Sequence, residues 1–162
     1  MTTSGTVLAL LTATGSALTA GVFFGFSVLV MPAFRARPAA EAMAAMQAVN
    51  RVAPRSLLMV PLLGSAVGGL AVAVHALVTR PDGLALLLVG AAAAVATLAV
   101  TVGYHVPRND ALAALDPQEP GSAAAWARYA PGWTRLNSVR AGLALLSATA
   151  LVGAVLTAEP PP

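Results

Sequence analysis

Cysteine and lysine are both absent from the 162 residues. Without cysteine there is no disulfide framework, no thiolate metal site and no cysteine nucleophile. Charge is scarce too. Only 9% of residues are charged, against about 25% in an average soluble domain, while 58% are hydrophobic. With a mean hydropathy of +0.81, the chain has too little polar surface to cover a globule in water and too much apolar surface for disorder. All nine basic residues are arginine, and the net charge is +3. In a soluble protein this balance would point to nucleic acid. Here the expected partners are the lipid bilayer and an acidic or aromatic small molecule, with no nucleic acid. A glycine-rich phosphate loop, a GxSxG elbow and an HExxH pair are all missing.

What is present is four long charge-free stretches, Met1 to Phe34, Ser56 to Thr79, Gly83 to Pro107 and Ala141 to Ala158. Crossing a bilayer takes roughly 20 apolar residues in a helix, and each stretch reaches this, the last with its flanking turn. Beta spans would alternate polar and apolar residues over about ten positions, which none of these does. The expectation is an all-α integral membrane four-helix bundle, one domain over residues 1–162, with spans near 7–33, 56–79, 83–106 and 136–157. No basic residue precedes Arg35, so the first stretch reads as a permanent span and not a cleavable signal. Glu159 and the final prolines read as a short disordered tail.

Arginine sets the expected orientation. Four lie between Arg35 and Arg55, four between Arg108 and Arg140, and one, Arg80, on the other side. That asymmetry puts the first and third loops in the cytoplasm, in a cytoplasmic membrane, with both termini outside. Within the spans, Gly21 and Gly25, and likewise Gly64 and Gly68, form small-residue ridges that suit close helix packing or self-association into a homo-oligomer. Gly90 and Ala91 to Ala94 read as packing in the third span. Phe23, Phe24 and Phe26 face lipid, core or a cavity.

The two arginine-rich loops carry short interfacial helices. Pro38 opens one that ends before Pro54, and on it Met43, Met46 and Asn50 share a face. Either its methionine face lies on the membrane surface or Asn50, beside Arg51, faces a ligand. In the third loop, Pro107 is expected to end the span, with Asn109 or Asp110 capping a short helix at Ala111 to Leu115. Ser122 is expected to cap a segment reaching Tyr129, and Pro131-Gly132 to restart the chain. Beyond that restart Trp133, Asn137 and Arg140 fall on one helical face, which Trp126 and Tyr129 extend if the helix is continuous. Arg135 can snorkel to the head groups. Arg140 lies deeper and needs a partner or a site.

His105 and His75 fall at opposite ends of their spans, and no carboxylate lies within any span. A dedicated metal or bis-His haem site within one chain is therefore not expected, nor a carboxylate relay for a proton-coupled exporter. His75 reads as a polar residue near the outer interface.

The segments GVFFGFSVLVMPAF at 21–34, AMAAMQAVNR at 42–51, HVPRNDALAALD at 105–116 and WARYAPGWTRLNSVR at 126–140 resemble the anthrone oxygenase family, over nearly the whole chain. The resemblance implies a membrane-embedded oxygenase that converts an anthrone-like phenolic or polyketide to a quinone with O2 as co-substrate, without a dedicated cofactor. Carried over position by position, Asn50, Asn109, Trp126, Trp133, Asn137 and Arg140 match the family's recurrent polar and aromatic residues. His105 departs from the Asn of many members. An anthrone enolate is electron-rich enough to react with O2, so the protein has to bind a flat ligand, take a proton and hold an oxyanion. Trp126 and Trp133, with Tyr129, Asn50 and Arg51 beside them, would bind the rings. Asn109, Asn137 and Arg140 would hold the oxyanion. His105, with an ordinary pKa of about 6.5, would be the base. Two rival readings stand beside this one. In the first, the chain is a non-enzymatic membrane module that binds or passes a lipophilic molecule or supports a partner protein. In the second, it is a small redox subunit holding haem or copper.

Overall fold

A computed structural model describes residues 1–158; the tail from Glu159 lies outside the described residues. Four helices are long and apolar enough to span a membrane. They are α1, Thr3–Arg35, α3, Met59–Thr79, α4, Leu84–Ala113, and α5, Ser122–Thr157. The shorter α2, Ala39–Val52, joins α1 to α3 through a 3-10 turn, Ala53–Arg55. The spans pack as a ring in which α1 touches α3 and α5, and α4 touches α3 and α5. The fold is an all-α four-helix membrane bundle.

At the end that holds Arg80, small residues let the helices close in. A Cβ added at Gly69 would lie 3.0 Å from the Ala91 carbonyl, and one at Gly90 would meet Leu151 and, at 3.2 Å, the Ser147 carbonyl. Around them Ala9, Ala13, Ala76, Ala91 and Ala154 pack with Val72, Leu87 and Leu151. Gly90, Ala91, Ala93 and Ala94 are thus packing residues, as expected, while Ala92 is exposed. Gly68 sits against Thr12, but a Cβ added at Gly21, Gly25 or Gly64 would meet nothing within 4 Å, so the first glycine ridge faces open space and is not a close helix contact. His75 bonds Thr2 at the start of α1, with Nε2 3.2 Å from Oγ1.

The arginine-rich end differs from expectation in three ways, two of them from helix that continues where a break was expected. First, Pro107 does not end the third span. The backbone widens into a π turn at Thr101–His105, the Val106 N–H bonds the Thr101 carbonyl, and α4 runs on to Ala113. Proline lacks an N–H and its ring clashes with the carbonyl four residues back, and a wider turn just before it relieves both. The same device precedes Pro32, where a π turn spans Phe26–Val30. Second, Pro131 lies inside α5, with exposed Ala127 four residues before it, so the 36-residue helix does not restart there. Its N-cap is Gly121 at φ 104°, a left-handed conformation that glycine adopts freely, and not Ser122. The helical pieces expected in the third loop are present as extensions of α4 and α5. Third, the methionine face of α2 does not lie on lipid. Met43 and Met46 are fully buried with Met31, Leu112, Trp126 and Trp133. Gln47 fastens α2 to the end of α4, its Nε2 donating to the Leu112 and Leu115 carbonyls at 2.9 Å each.

Candidate functional site

Because α3 begins only at Met59, the ring lacks one helix at the arginine-rich end. A cavity of about 270 Å3 fills that corner, just below the roughly 300–1,000 Å3 typical of small-molecule sites. Its wall is mostly apolar, from Val22, Phe23, Leu58, Leu62 and Leu98. Six polar or aromatic side chains interrupt it: Asn50, Thr101, His105, Asn109, Asn137 and Arg140, with Trp133 beside them.

Arg140 dominates the wall. It is 5% exposed and forms no ion pair among the described residues. Counted back from Thr157 it lies about 26 Å along the helix, within the depth of a hydrocarbon core. A lone cation at that depth is costly unless other groups replace its hydration. Asn137 Oδ1 accepts from one terminal nitrogen at 2.7 Å, and Thr101 Oγ1 from the other at 3.2 Å. The guanidinium carbon stands 4.0 Å from the Phe23 ring centroid and 5.7 Å from that of Trp133. Such cation–π contacts gain strength where water is excluded. The Nε–H nevertheless has no partner.

Asn137, fully buried, owes its orientation to the first π turn. Its Nδ2 donates to the Phe23 carbonyl at 2.6 Å and to Ser27 Oγ at 2.8 Å, which leaves Oδ1 for Arg140. The second π turn holds Thr101 and His105, and helical spacing then places Thr101, His105 and Asn109 on one face of α4. Both wide turns therefore serve this cavity. Asn109 is not a cap; its Oδ1 accepts from Tyr129 Oη at 2.8 Å and from Trp133 Nε1 at 3.0 Å. On the far wall Asn50 Nδ2 is buried without a partner, the second orphaned donor at the cavity.

Three residues expected at the site stand elsewhere. Arg51 is exposed on the outer face of α2, turned from the cavity by the helical step that brings Asn50 to it. Trp126 is packed in the methionine cluster, and Tyr129 stacks between Trp126 and Trp133 at centroid distances of 5.7 and 6.5 Å. With α5 continuous, this stripe runs into the protein interior, so only its Trp133 end reaches the cavity. His105 lines the cavity at 1% exposure, but its Nδ1 is 3.3 Å from the Val100 carbonyl and its Nε2 is 3.4 Å from the Trp133 carbonyl. Its ring meets Trp133 edge-on at 5.2 Å. A nitrogen directed at a carbonyl is poorly placed to accept a proton from a ligand, which counts against a base role in this arrangement. Thr101 and Ser27 are participants that spacing had not singled out, while Phe23 and Phe26 take the cavity alternative left open for them. The Thr101–His105–Asn109 interval was the one signal for Thr101, hidden by the expected break at Pro107.

The donor set at the cavity is thus a guanidinium, three amides, a hydroxyl and an imidazole. Among the described residues no three His, Cys, Asp or Glu side chains gather into a metal-binding group. No curated protein and no solved structure matches the chain. The model of one family, anthrone oxygenase, matches residues 55–150, which include every site residue named on α4 and α5 but not Asn50. That match covers more than half of the sequence and the two helices that supply the guanidinium and its partners, and on it the chain belongs to the anthrone oxygenase family.

Proposed function

We propose that the cavity binds a flat phenolic of the anthrone type and that the protein oxidises it with O2 to the quinone. In this reaction the methylene gives up two hydrogens, one oxygen atom becomes the new carbonyl, and the other leaves as water. The observation that carries this reading is Arg140, a buried cation with no carboxylate and an unpartnered Nε–H on an apolar wall. A buried donor left unmade costs about 1–3 kcal/mol, so the site is built for an acceptor brought by a ligand. An enolate oxygen supplies both the acceptor and the missing negative charge.

Trp133 is the ring that a flat ligand meets, held in place by its N–H bond to Asn109. Arg140 stabilises the enolate and then the peroxide anion, where excluded water makes each charge contact stronger. Asn50 donates to an oxygen at the ligand's other side. His105 shapes the wall through its contact with Trp133; the guanidinium lowers the cost of the enolate, and the methylene proton passes to a single water enclosed with the ligand and ends on the hydroxide released when the peroxide collapses. No dedicated cofactor takes part on this reading, and the arginine-rich end faces the cytoplasm.

Oxygen uptake and quinone formation by chelator-treated protein in detergent, given an anthrone, test the proposal. The Arg140→Ala protein is the blank, because anthrones oxidise slowly on their own. Turnover well above blank is expected for the natural sequence, and Arg140→Lys should not restore it, since an ammonium lacks the planar fork. Equal rates in all three proteins overturn the oxygenase reading. If the ligand still quenches tryptophan fluorescence in that case, the chain is a binding module.

A further inference from the structure

The cavity is roofed by a short stretch of chain towards the aqueous end and bordered by exposed apolar side chains towards the side. The end of α2 and the 3-10 turn roof it with Val49, Asn50, Ala53 and Pro54, and behind that roof Met43 and Met46 are fully buried. Under this roof Asn50 Nδ2 has almost no accessible surface and no partner. The side wall is different. Leu63 on α3 and Val102 and Val106 on α4 line the cavity and are also 47%, 59% and 44% exposed on the outside of the bundle. Three such residues on two neighbouring helices mark a mouth, whereas the roof has one, Pro54, and α1 has one, Val22. Val102 lies eighteen residues beyond Leu84, about 27 Å along α4 and so within the thickness of the hydrocarbon core. All three rim side chains are apolar, and α3 and α4 are neighbours in the ring.

We propose that the ligand enters and leaves sideways, from the bilayer, through the cleft between α3 and α4 rimmed by Leu63, Val102 and Val106. This rests on the reading of the cavity as a site for a flat lipophilic phenolic and adds its route. Such a molecule concentrates in the leaflet, and a mouth opening there spares it a passage through water. The short start of α3 is then functional: a helix continued upwards from Met59 would close the opening. The exposed apolar faces of Val102 and Leu63 are the threshold.

A route is a kinetic property, and it can be tested as one. An obstacle at a mouth slows entry and exit by the same factor and leaves the dissociation constant alone. Because the chain has no cysteine, single cysteines can be placed and capped with a bulky maleimide. The proteins would be Val102→Cys and Leu63→Cys at the rim, Pro54→Cys at the roof, and Ala48→Cys on the exposed face of α2. Each is reconstituted in phosphatidylcholine vesicles containing 9,10-anthraquinone, and tryptophan quenching is followed after a temperature jump, so that transfer between vesicles plays no part. Capping either rim cysteine should slow relaxation about tenfold, with the equilibrium quenching curve moved less than about twofold. Capping Ala48→Cys should change neither, and capping Pro54→Cys should slow relaxation less than capping either rim cysteine. The lateral route is overturned if the rim adducts leave relaxation unchanged, or if the roof adduct alone slows it. Absence of quenching in the unmodified protein overturns the aromatic-ligand reading, and this route with it, which is a different result from unaltered rates with binding intact.

Discussion

Around Gly69 and Gly90 the helices are held apart by little more than hydrogen and methyl groups, whereas around Arg140 they are held apart by whole aromatic rings and a guanidinium. At the first end, the added Cβ atoms would meet carbonyls and neighbouring side chains at or near 3 Å. In lipid, where no hydrophobic force drives helices together, such close contact is a main source of association. At the second end, both π turns interrupt the regular ladder, two buried donors lack partners, and a cavity remains. One end is built to be stable and the other is kept unsatisfied, so substitutions in the two should fail in opposite ways.

The largest effect is expected at Arg140. Arg140→Ala should lower turnover of an anthrone about 100-fold or more, as loss of an oxyanion-stabilising donor does elsewhere. Its thermal midpoint should not fall, because removing an unpaired buried charge relieves a cost. Parallel oxygen uptake and intrinsic-fluorescence melting decide it; a sharp loss of stability would mean that Arg140 is structural glue. Gly69→Val should do the reverse. Its Cβ meets the Ala91 carbonyl at 3.0 Å and Ala94 Cβ at 3.1 Å, so overpacking should cost about 1–3 kcal/mol, while the fraction still folded turns over normally.

Asn109 sharpens the comparison within the site. It touches Trp133 and Tyr129 through Oδ1, which makes it a positioning residue for the tryptophan. Asn109→Leu leaves both donors unsatisfied and lets the indole turn. A KM raised about five- to tenfold with a smaller change in kcat is expected, together with a shifted tryptophan emission maximum. Asn109→Asp keeps the acceptor and should restore the emission maximum. A kcat loss without change in KM or emission would give Asn109 a direct part in the chemistry instead.

Much of this division was legible in the residues. Charge-free length gave away the four spans, because hydrocarbon tolerates little else, and the helix at residues 39–52 was bounded by Pro38 and Pro54. The face of Trp133, Asn137 and Arg140 followed from helical spacing, since that stretch is regular helix in the structure as well. Proline is where the reading failed. In sequence Pro107 and Pro131 read as breaks, a rule that holds when water can compete for the freed carbonyl, whereas here a wide turn or an exposed carbonyl absorbs the defect and the helix continues. That one difference hid the Thr101–His105–Asn109 face and left Trp126 and Tyr129 on an uncertain phase. Met43 and Met46 were ambiguous for another reason: an apolar stripe does not say whether lipid or protein covers it.

The smallest effect is expected deep in the tightly packed half, where Ser16 Oγ and Ser147 Oγ meet at 3.0 Å, both fully buried between α1 and α5. A hydroxyl pair in an apolar surrounding looks like an anchor, but each serine has an alternative inside its own helix. Thr12 and Thr19, on either side of Ser16, already donate to the carbonyls four residues before them, at 2.8 and 2.9 Å. Ser16 can do the same once Ser147 is gone. Ser147→Ala should therefore cost about 0.6 kcal/mol, the average for polar pairs between membrane helices, and the coupling with Ser16→Ala in a double-mutant cycle should be no larger. Melting of the two single variants and the double variant in one detergent measures it. A coupling of about 2 kcal/mol would show that polar contacts, and not close approach at glycine and alanine, hold this half together, and the contrast with the Arg140 end would then be one of satisfied against unsatisfied polar groups.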